Sequence, residues 1–542
     1  MSMSRGVLSA GLVSALVVLG LFARPALAQR DRQLQGRLSE VEEELSLLRD
    51  VTGEASKTAN QALLRLGELE KKVGDLPETI RKEVQALAGK VEAGQLLVTA
   101  QGERLDLLEK GIREMRDELE KRRLEVSGQL RLRPQYVSNA RDFRSDLRED
   151  QDFFFSQRIR LGVSATPVRF MSATLQFQDV RTWGSGADLE EGSNAARVHQ
   201  AFVTARIVEG LELRAGRQEW SFGSQRMISP DDWNQAGRSF DGIDLSWRFR
   251  NWIQADALFA LLDERAASDG DDKVFGGIYL STPILKPMLI DLYWLHLQDP
   301  RAGARRTFST IGARVGGRLP WHEALLFDLE AAIQAGKVSE GDPDDQLSVT
   351  NPHLAAAYYA MLGYELPVLT RPTIKAFFLS ASGDPNRSPL DPANDRHTAF
   401  LPLFPLKSSL LGRMEVFNLS NVWSTGAELG LTPWEGVHVE VLYSYFSLVE
   451  PFGDLPAEGL VTRNRIYPSR SPVGHELDLS ASWEVDAHFA LGAGYSVLLP
   501  AGAVEDQVRP QREATVDGET GTWIYPGGDP AHWAWLQADF RF

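Results

Sequence analysis

From residue 126 to residue 542, side-chain polarity alternates with a period of two, in segments of about ten residues separated by turn-forming stretches. Successive side chains of a strand point to opposite faces, so alternation gives each segment one apolar and one polar face. The segment 126–136 sets Leu130, Leu132 and Tyr136 against Gln129, Arg131, Arg133 and Gln135. The pattern returns at 156–165, 171–178, 200–207, 211–218, 243–249, 252–262, 274–280, 289–297 and 307–315. It continues at 324–335, 355–365, 373–380, 420–431, 437–447, 476–483, 489–499 and 533–542. One such segment is a weak signal, but their number implies an all-β transmembrane barrel of about 18 antiparallel strands. An even number keeps both barrel ends on one side of the membrane.

The links between segments alternate in length. Short ones at 166–168, 209–210, 250–251 and 485–487 read as periplasmic turns. Long polar ones at 183–194, 337–351, 382–418, 450–474 and 500–529 read as outward-facing loops. Outer-membrane barrels have this asymmetry, whereas a soluble propeller or sandwich gives no reason for it. Trp220, Trp247, Trp252, Trp321, Trp423 and Trp434 lie near segment ends, where aromatic girdles sit. The last segment puts Leu536, Ala538, Phe540 and Phe542 on one face. A final strand closing on Phe resembles the signal read by barrel assembly machinery, which makes Phe540 and Phe542 the expected assembly signal.

Ahead of the strands, Arg5, an apolar run at 7–22 and the Ala26-Leu27-Ala28 sequence have the layout of a cleavable secretory signal. The run falls short of the roughly 20 residues that a spanning helix needs. The expected divisions are a signal peptide at 1–28, a periplasmic coiled-coil stalk at 29–125 and an outer-membrane barrel at 126–542. In the stalk, Leu34, Leu38, Val41, Leu45 and Leu48 step by four and three, as a heptad seam does. The register runs through Ala55, Ala59, Ala62, Leu66, Leu69, Val73, Leu76 and Ile80. After a four-residue stutter to Val84 it resumes through Leu87, Val91, Val98, Leu105, Leu108, Ile112, Met115 and Leu119. A helix with such a stripe must pair with copies of itself or fold back. Oligomerisation, as a homotrimer, is the simpler expectation, and an unbroken helix would reach about 130 Å. Pro77 in Gly74-Asp75-Leu76-Pro77 offers a bend. Contact with peptidoglycan is a further expectation for this stalk.

The chain has no cysteine, which removes thiolate chemistry, Cys-ligated zinc and disulfides. Its net charge of −16 argues against nucleic acid as a partner, because that partner needs a basic surface. His322-Glu323 lacks the second His of a zinc-protease helix, and the Gly494-Tyr495-Ser496 stretch lacks the final Gly of a nucleophile elbow. Acidic runs at 269–272 and 342–345 read as solvated loops. No catalytic residue, cofactor or metal is expected.

If the apolar faces meet lipid, Arg131, Arg133, Arg158, Arg160, Arg206, Arg214, Arg238 and Arg314 face the lumen, because arginine in lipid costs several kcal/mol. Arginines ringing a pore favour anions. The competing role is bracing, in which arginines pair with acids such as Glu212 and Asp244 across the wall.

The stretch LELRAGRQEWSFG at 211–223, followed by RMISPDDW at 226–233 and GRSFDG at 237–242, resembles the signature of the alginate-export outer-membrane porins. The likeness is specific over about 35 residues. It implies an eighteen-stranded barrel with an arginine-rich constriction through which a polyuronate leaves the cell. It further implies that Arg217, Glu219, Arg226, Asp232, Arg238 and Asp241 organise the unit beside the constriction, with Arg217 and Arg226 facing the pore. The expectation is a channel in the bacterial outer membrane, in contact with its lipid, that passes small anions or exports an anionic, alginate-like polysaccharide. The alternatives are a structural tether linking barrel to cell wall and an outer-membrane hydrolase.

Overall fold

The computed structural model describes residues 49–50, 53–65, 67–68, 71, 78–121, 124–140, 143, 151–168, 170–183, 196–250, 252–263, 272–285, 287–300, 305–340, 349–385, 396–409, 411–457, 468–507, 511–516, 519–524 and 528–542. The expected signal peptide at 1–28, the expected seam up to Leu48 and at Leu66, Leu69, Val73 and Leu76, the expected bend at 74–77, the acidic run at 342–345 and most of that at 269–272 lie outside the described residues. The chain divides into two units, Met1–Arg123 and Leu124–Phe542.

In the first unit, helix α1 spans Glu78–Lys121. Its half-buried positions include Val91, Gln95, Val98, Gly102, Leu105 and Glu109, which step by four and three and so mark a seam. The segment at 53–65 lies antiparallel to it. Arg49 pairs with Glu109 at 2.8 Å, and Gln95 donates to Asn60, so the partners converge in sequence as a hairpin requires. Folding back therefore replaces the unbroken helix: α1 alone has 44 residues, about 66 Å. Leu87 and Leu108, expected in the seam, are 54% and 57% exposed.

The second unit is a closed barrel. Its strands are β1 (Leu124–Ser138), β2 (Asp152–Val168), β3 (Met171–Thr182), β4 (Arg197–Val208), β5 (Leu211–Gln218), β6 (Phe240–Phe249), β7 (Ile253–Asp263), β8 (Lys273–Leu285) and β9 (Met288–Asp299). There follow β10 (Arg306–Leu319), β11 (His322–Glu340), β12 (Val349–Glu365), β13 (Thr373–Ala381), β14 (Val422–Trp434), β15 (Val437–Leu448), β16 (Pro472–Glu484) and β17 (Phe489–Pro500). A short helix α2 (Gly502–Gln507) and a hairpin of β18 (Gln511–Val516) and β19 (Glu519–Ile524) precede β20 (Ala531–Arg541). Strands β1 to β17 pair in order and antiparallel, β17 pairs with β20, and β20 closes on β1, which makes an 18-stranded sheet with no free edge. Each alternating segment of the sequence falls on one of these strands.

Burial is inverted relative to a water-soluble protein. Leu161 is 52% and Ile311 61% exposed on the outer face, while the neighbouring Arg158 and Arg160 are 0% and 7% exposed. Only a surface facing lipid makes that arrangement stable, and a closed barrel is the one sheet that satisfies its backbone there. Among the described residues no helix is long and apolar enough to cross a membrane. Trp247, Trp252, Trp321 and Trp434 form an exposed aromatic belt at the short-turn end. Trp220 does not join it: it is 2% exposed and stacks on Phe240 at 4.7 Å inside the barrel.

The barrel closes where β20 meets β1. Phe542 and Gly128 exchange both backbone hydrogen bonds, at 2.9 and 3.0 Å. A Cβ at Gly128 would stand 2.1 Å from the Phe542 ring, so the glycine leaves room for that ring. Phe540 stacks on Phe489 of β17 at 4.6 Å. The hairpin β18–β19 is absent from the sequence reading, which takes 500–529 as a loop, although Asp517-Gly518 between Val516 and Glu519 is a tight-turn signal.

Candidate functional site: an ion-paired strap across the lumen

The register of β1 and β2 sets Arg131 directly opposite Arg158, with Arg133 opposite Ser156 and Gln129 opposite Arg160. All four arginines are less than 9% exposed. Like charges facing each other across strands repel, and burial makes the repulsion worse, so this wall needs an anion. The connection between β5 and β6, residues 219–239, supplies it. This strap folds inward and reaches β1 and β2 on one side and β11 on the other.

On the basic side, Asp232 takes Arg160 Nη1 at 2.8 Å, Arg158 Nη1 at 3.0 Å and Arg131 Nη2 at 3.0 Å. Arg131 also donates to the Asp232 carbonyl at 2.6 Å and through Nε to Asp539 of β20 at 3.0 Å. Arg133 lies over the Trp233 ring at 4.1 Å and donates to the Trp233 carbonyl and to Gln537 Oε1. Gln129 and Gln178 accept from Arg158 Nη2 and Arg160 Nε. Burial alone would raise the Asp232 carboxyl, but Arg158, Arg131 and Arg160 outweigh it and hold it down at about 2.

The opposite wall reverses the signs. Arg226 of the strap donates at 2.8 Å to both Asp328 and Glu330 of β11 and covers the Tyr359 ring at 3.5 Å. Ser224 donates to Glu330 at 2.7 Å, and Tyr293 reaches the same carboxylate at 3.0 Å. Arg314 of β10 is enclosed here between Asp291 and Asp328, at 3.0 and 2.8 Å. At the ends of the strap, Glu219 meets His199 at 2.6 Å, and Arg238 donates to the Phe404 carbonyl at 2.8 Å. Phe404 comes from the connection between β13 and β14 and packs edge-on against Phe240 and Phe275. Gly223 and Gly237, with φ of +53° and +61°, give the chain the left-handed conformations it needs at each end of the strap.

Four of the expected pore arginines, Arg131, Arg133, Arg158 and Arg160, thus converge, and Arg226 and Arg314 form a second, acid-balanced cluster. Arg214 lies 5.1 Å from the Phe202 ring and opposite Asp244 of β6. Arg206 pairs with Glu212 at 3.4 Å near the short turn at 209–210, outside both clusters. Arg217 and Asp241 require a correction. They pair at 3.0 Å, but in register they continue the face of Ala215 and Ile243, the latter 46% exposed, and that face points outward. The +123° φ of Gly216 belongs to the same stretch and does not swap the faces, because Gln218 and Phe240 beside the pair are buried.

Sequence alternation placed Asp539 and Gln537 on the polar face without assigning them work. Asp328 and Glu330, two apart on β11, carried the same signal. Glu415, Arg413 and Phe404 sit in the long connection after β13, where no periodicity marks them.

The family model for alginate export matches residues 122–516, more than half of the 542-residue chain. No curated protein matches in sequence. Among solved structures, OpdK from Pseudomonas aeruginosa with vanillate is similar at 12% identity and a TM-score of 0.48, over 77% of this chain and 98% of that one. OprD from Pseudomonas aeruginosa is similar at 11% identity and a TM-score of 0.47, over 77% and 94%. With an apolar outer belt, a charged lumen and that family match, the chain is an outer-membrane barrel of the channel or export type. It belongs to the alginate-export family.

Proposed function

We propose that the barrel conducts anionic solutes, uronate sugars and their polymers among them, past the wall of Arg131, Arg133, Arg158 and Arg160. One observation carries this reading: four guanidiniums from two adjacent strands converge in the lumen on three carboxylates, Asp232, Asp539 and Glu219, which leaves positive charge in surplus. In a narrow, partly dehydrated passage a fixed charge is felt more strongly than in bulk water. The short turns then face the periplasm.

The test is solute uptake into liposomes that hold the full chain, with glucuronate and glucose compared at equal concentration. The two are of nearly equal size, so the reading expects faster glucuronate entry. Equal rates, or faster glucose entry, would refute it. A second reading is favoured by the ion pairs themselves: every strap contact braces the wall, as an anchor that conducts nothing would need. Liposomes impermeable to both solutes would establish that one.

A further inference from the structure

The connection between β13 and β14 begins with a segment, residues 396–406, that runs from the barrel wall to the strap. At the wall, His397 donates its backbone N–H to the Pro352 carbonyl at 2.8 Å and accepts from Leu354 at 3.0 Å, which adds one parallel bridge to β12. Further along, Gln334 of β11 takes both backbone groups of Leu401, at 2.7 and 2.9 Å. At the strap, Phe404 donates to the Met227 carbonyl and Leu406 to the Gln225 carbonyl, each at 2.9 Å, and Arg238 bonds back to Phe404. The segment therefore covers the strap only while its wall end stays attached.

That wall end closes on two histidines. His353 of β12 and His397 are 3% and 6% exposed, and their Nδ1 atoms meet at 2.9 Å. His353 Nε2 lies 3.3 Å from Gln334 Oε1, which only accepts, so that nitrogen carries the proton and His353 Nδ1 is left to accept from His397. Two neutral rings satisfy this arrangement. One added proton has an outlet, because the His397 carbonyl is 3.2 Å from His353 Nδ1. A second sets two cations on rings 4.9 Å apart and shut off from water, where their repulsion is strong. The charged groups that face the pair are Arg306 of β10, a further cation, and the half-buried Asp384, whose carboxylate accepts from the Thr398 N–H at 2.8 Å. Phe308 of β10, edge-on to His353 at 5.3 Å, brings no charge. Burial, reinforced by Arg306, pushes the His397 ring down to about 4.

We propose that this histidine pair is an acid-released latch, which pins residues 396–406 over the strap while its rings are neutral and lets them go when both are charged. A histidine held below its unfolded value of about 6.5 supports the docked segment fully above that value, and the support is lost as pH falls through about 4. Asp232, held at about 2, keeps the strap on β1 and β2 throughout that window. Acid thus frees the cover and leaves the strap in place. Docking of the segment is a property of the fold and does not depend on what the barrel conducts. In a conducting barrel, release widens the passage.

The chain has no cysteine, so Ala399→Cys gives one attachment point for a nitroxide, half-buried in the docked segment. Electron paramagnetic resonance of the labelled full chain in detergent reads the mobility of that segment directly. From pH 7.5 to pH 3.5 the label should become severalfold more mobile, reversibly and with heat-modifiable mobility retained, with a midpoint between about 4 and 6.5. The same label in His397→Gln should show no transition in that window. A label whose mobility does not change with pH in the parent overturns the latch. So does a release that persists unchanged in His397→Gln, or one with its midpoint below pH 4, where carboxylates such as Asp384 titrate. A His397→Gln label already mobile at pH 7.5 supports the latch, because it shows that the ring holds the segment. Acid release with no glucuronate preference in liposomes would leave the latch standing and the channel reading fallen, and the opposite pair of results would do the reverse.

Discussion

Asp232 holds three guanidiniums that would otherwise repel one another from β1 and β2. Because Asp232 is itself half-exposed, its removal leaves mainly the buried partners unsatisfied, at a cost of about 1–3 kcal/mol. Asp232→Asn is therefore expected to lower the temperature at which heat-modifiable mobility is lost and to make the open-channel current noisier. Unchanged mobility and noise would mean that the strap is held elsewhere. Its carboxyl is depressed to about 2, so this attachment is fully present above about pH 4 and is lost as pH falls through 2. Glu415 has the opposite sign. Burial, reinforced by the Asp231 carboxylate, pushes it up to about 7, so its contribution is complete below about pH 4.5 and is lost as pH rises through 7. Unfolding measured at pH 5 and pH 8 should show the parent losing stability across that window and Glu415→Gln losing less. Equal losses would place the effect on other groups.

At the scale of elements, alternation made the barrel legible because lipid and lumen impose opposite demands on neighbouring residues, and every strand from β1 to β17 and β20 obeys them. The strap was legible only as a motif. Its residues carry no period, and what they touch depends on side chains about 70 to 170 residues away, such as Asp232 on Arg158 and Arg238 on Phe404. At Arg217 residue type alone does not fix the face: one residue of register moves a side chain from the lumen to the outer face. Closure of β20 on β1 makes a further prediction. Gly128→Leu must displace the Phe542 ring, and Phe542→Ala removes the ring's packing, so both should reduce the fraction of folded, heat-modifiable barrel, the first more severely. Wild-type amounts of folded barrel in both variants would show that this contact does not govern closure.

At the scale of the whole molecule, the barrel turns leucine outward to lipid, and the helical unit also leaves leucine exposed. After the fold-back, Leu64, Leu96 and Leu107 remain 73%, 72% and 70% exposed. Exposed leucines along a heptad helix are covered by other helices, so sedimentation of the full chain in detergent should give an oligomer, a trimer in the simplest case, that reverts to monomer when the three are changed to Gln. A parent that sediments as a monomer would leave the hairpin self-sufficient. The heptads were plain in the sequence, yet they fit both copies and fold-back, and the contacts of Arg49 with Glu109 and Asp106 and of Asn60 with Gln95 separate the two. Reversal potential under a salt gradient reads the charge in the lumen most directly. At low ionic strength, where the Debye length exceeds the roughly 8 Å of physiological salt, the parent should reverse on the anion side, and Arg158→Ser with Arg160→Ser should shift it toward cations. An identical reversal potential for parent and double variant at low salt would contradict the account, because it would show that these arginines only brace the wall.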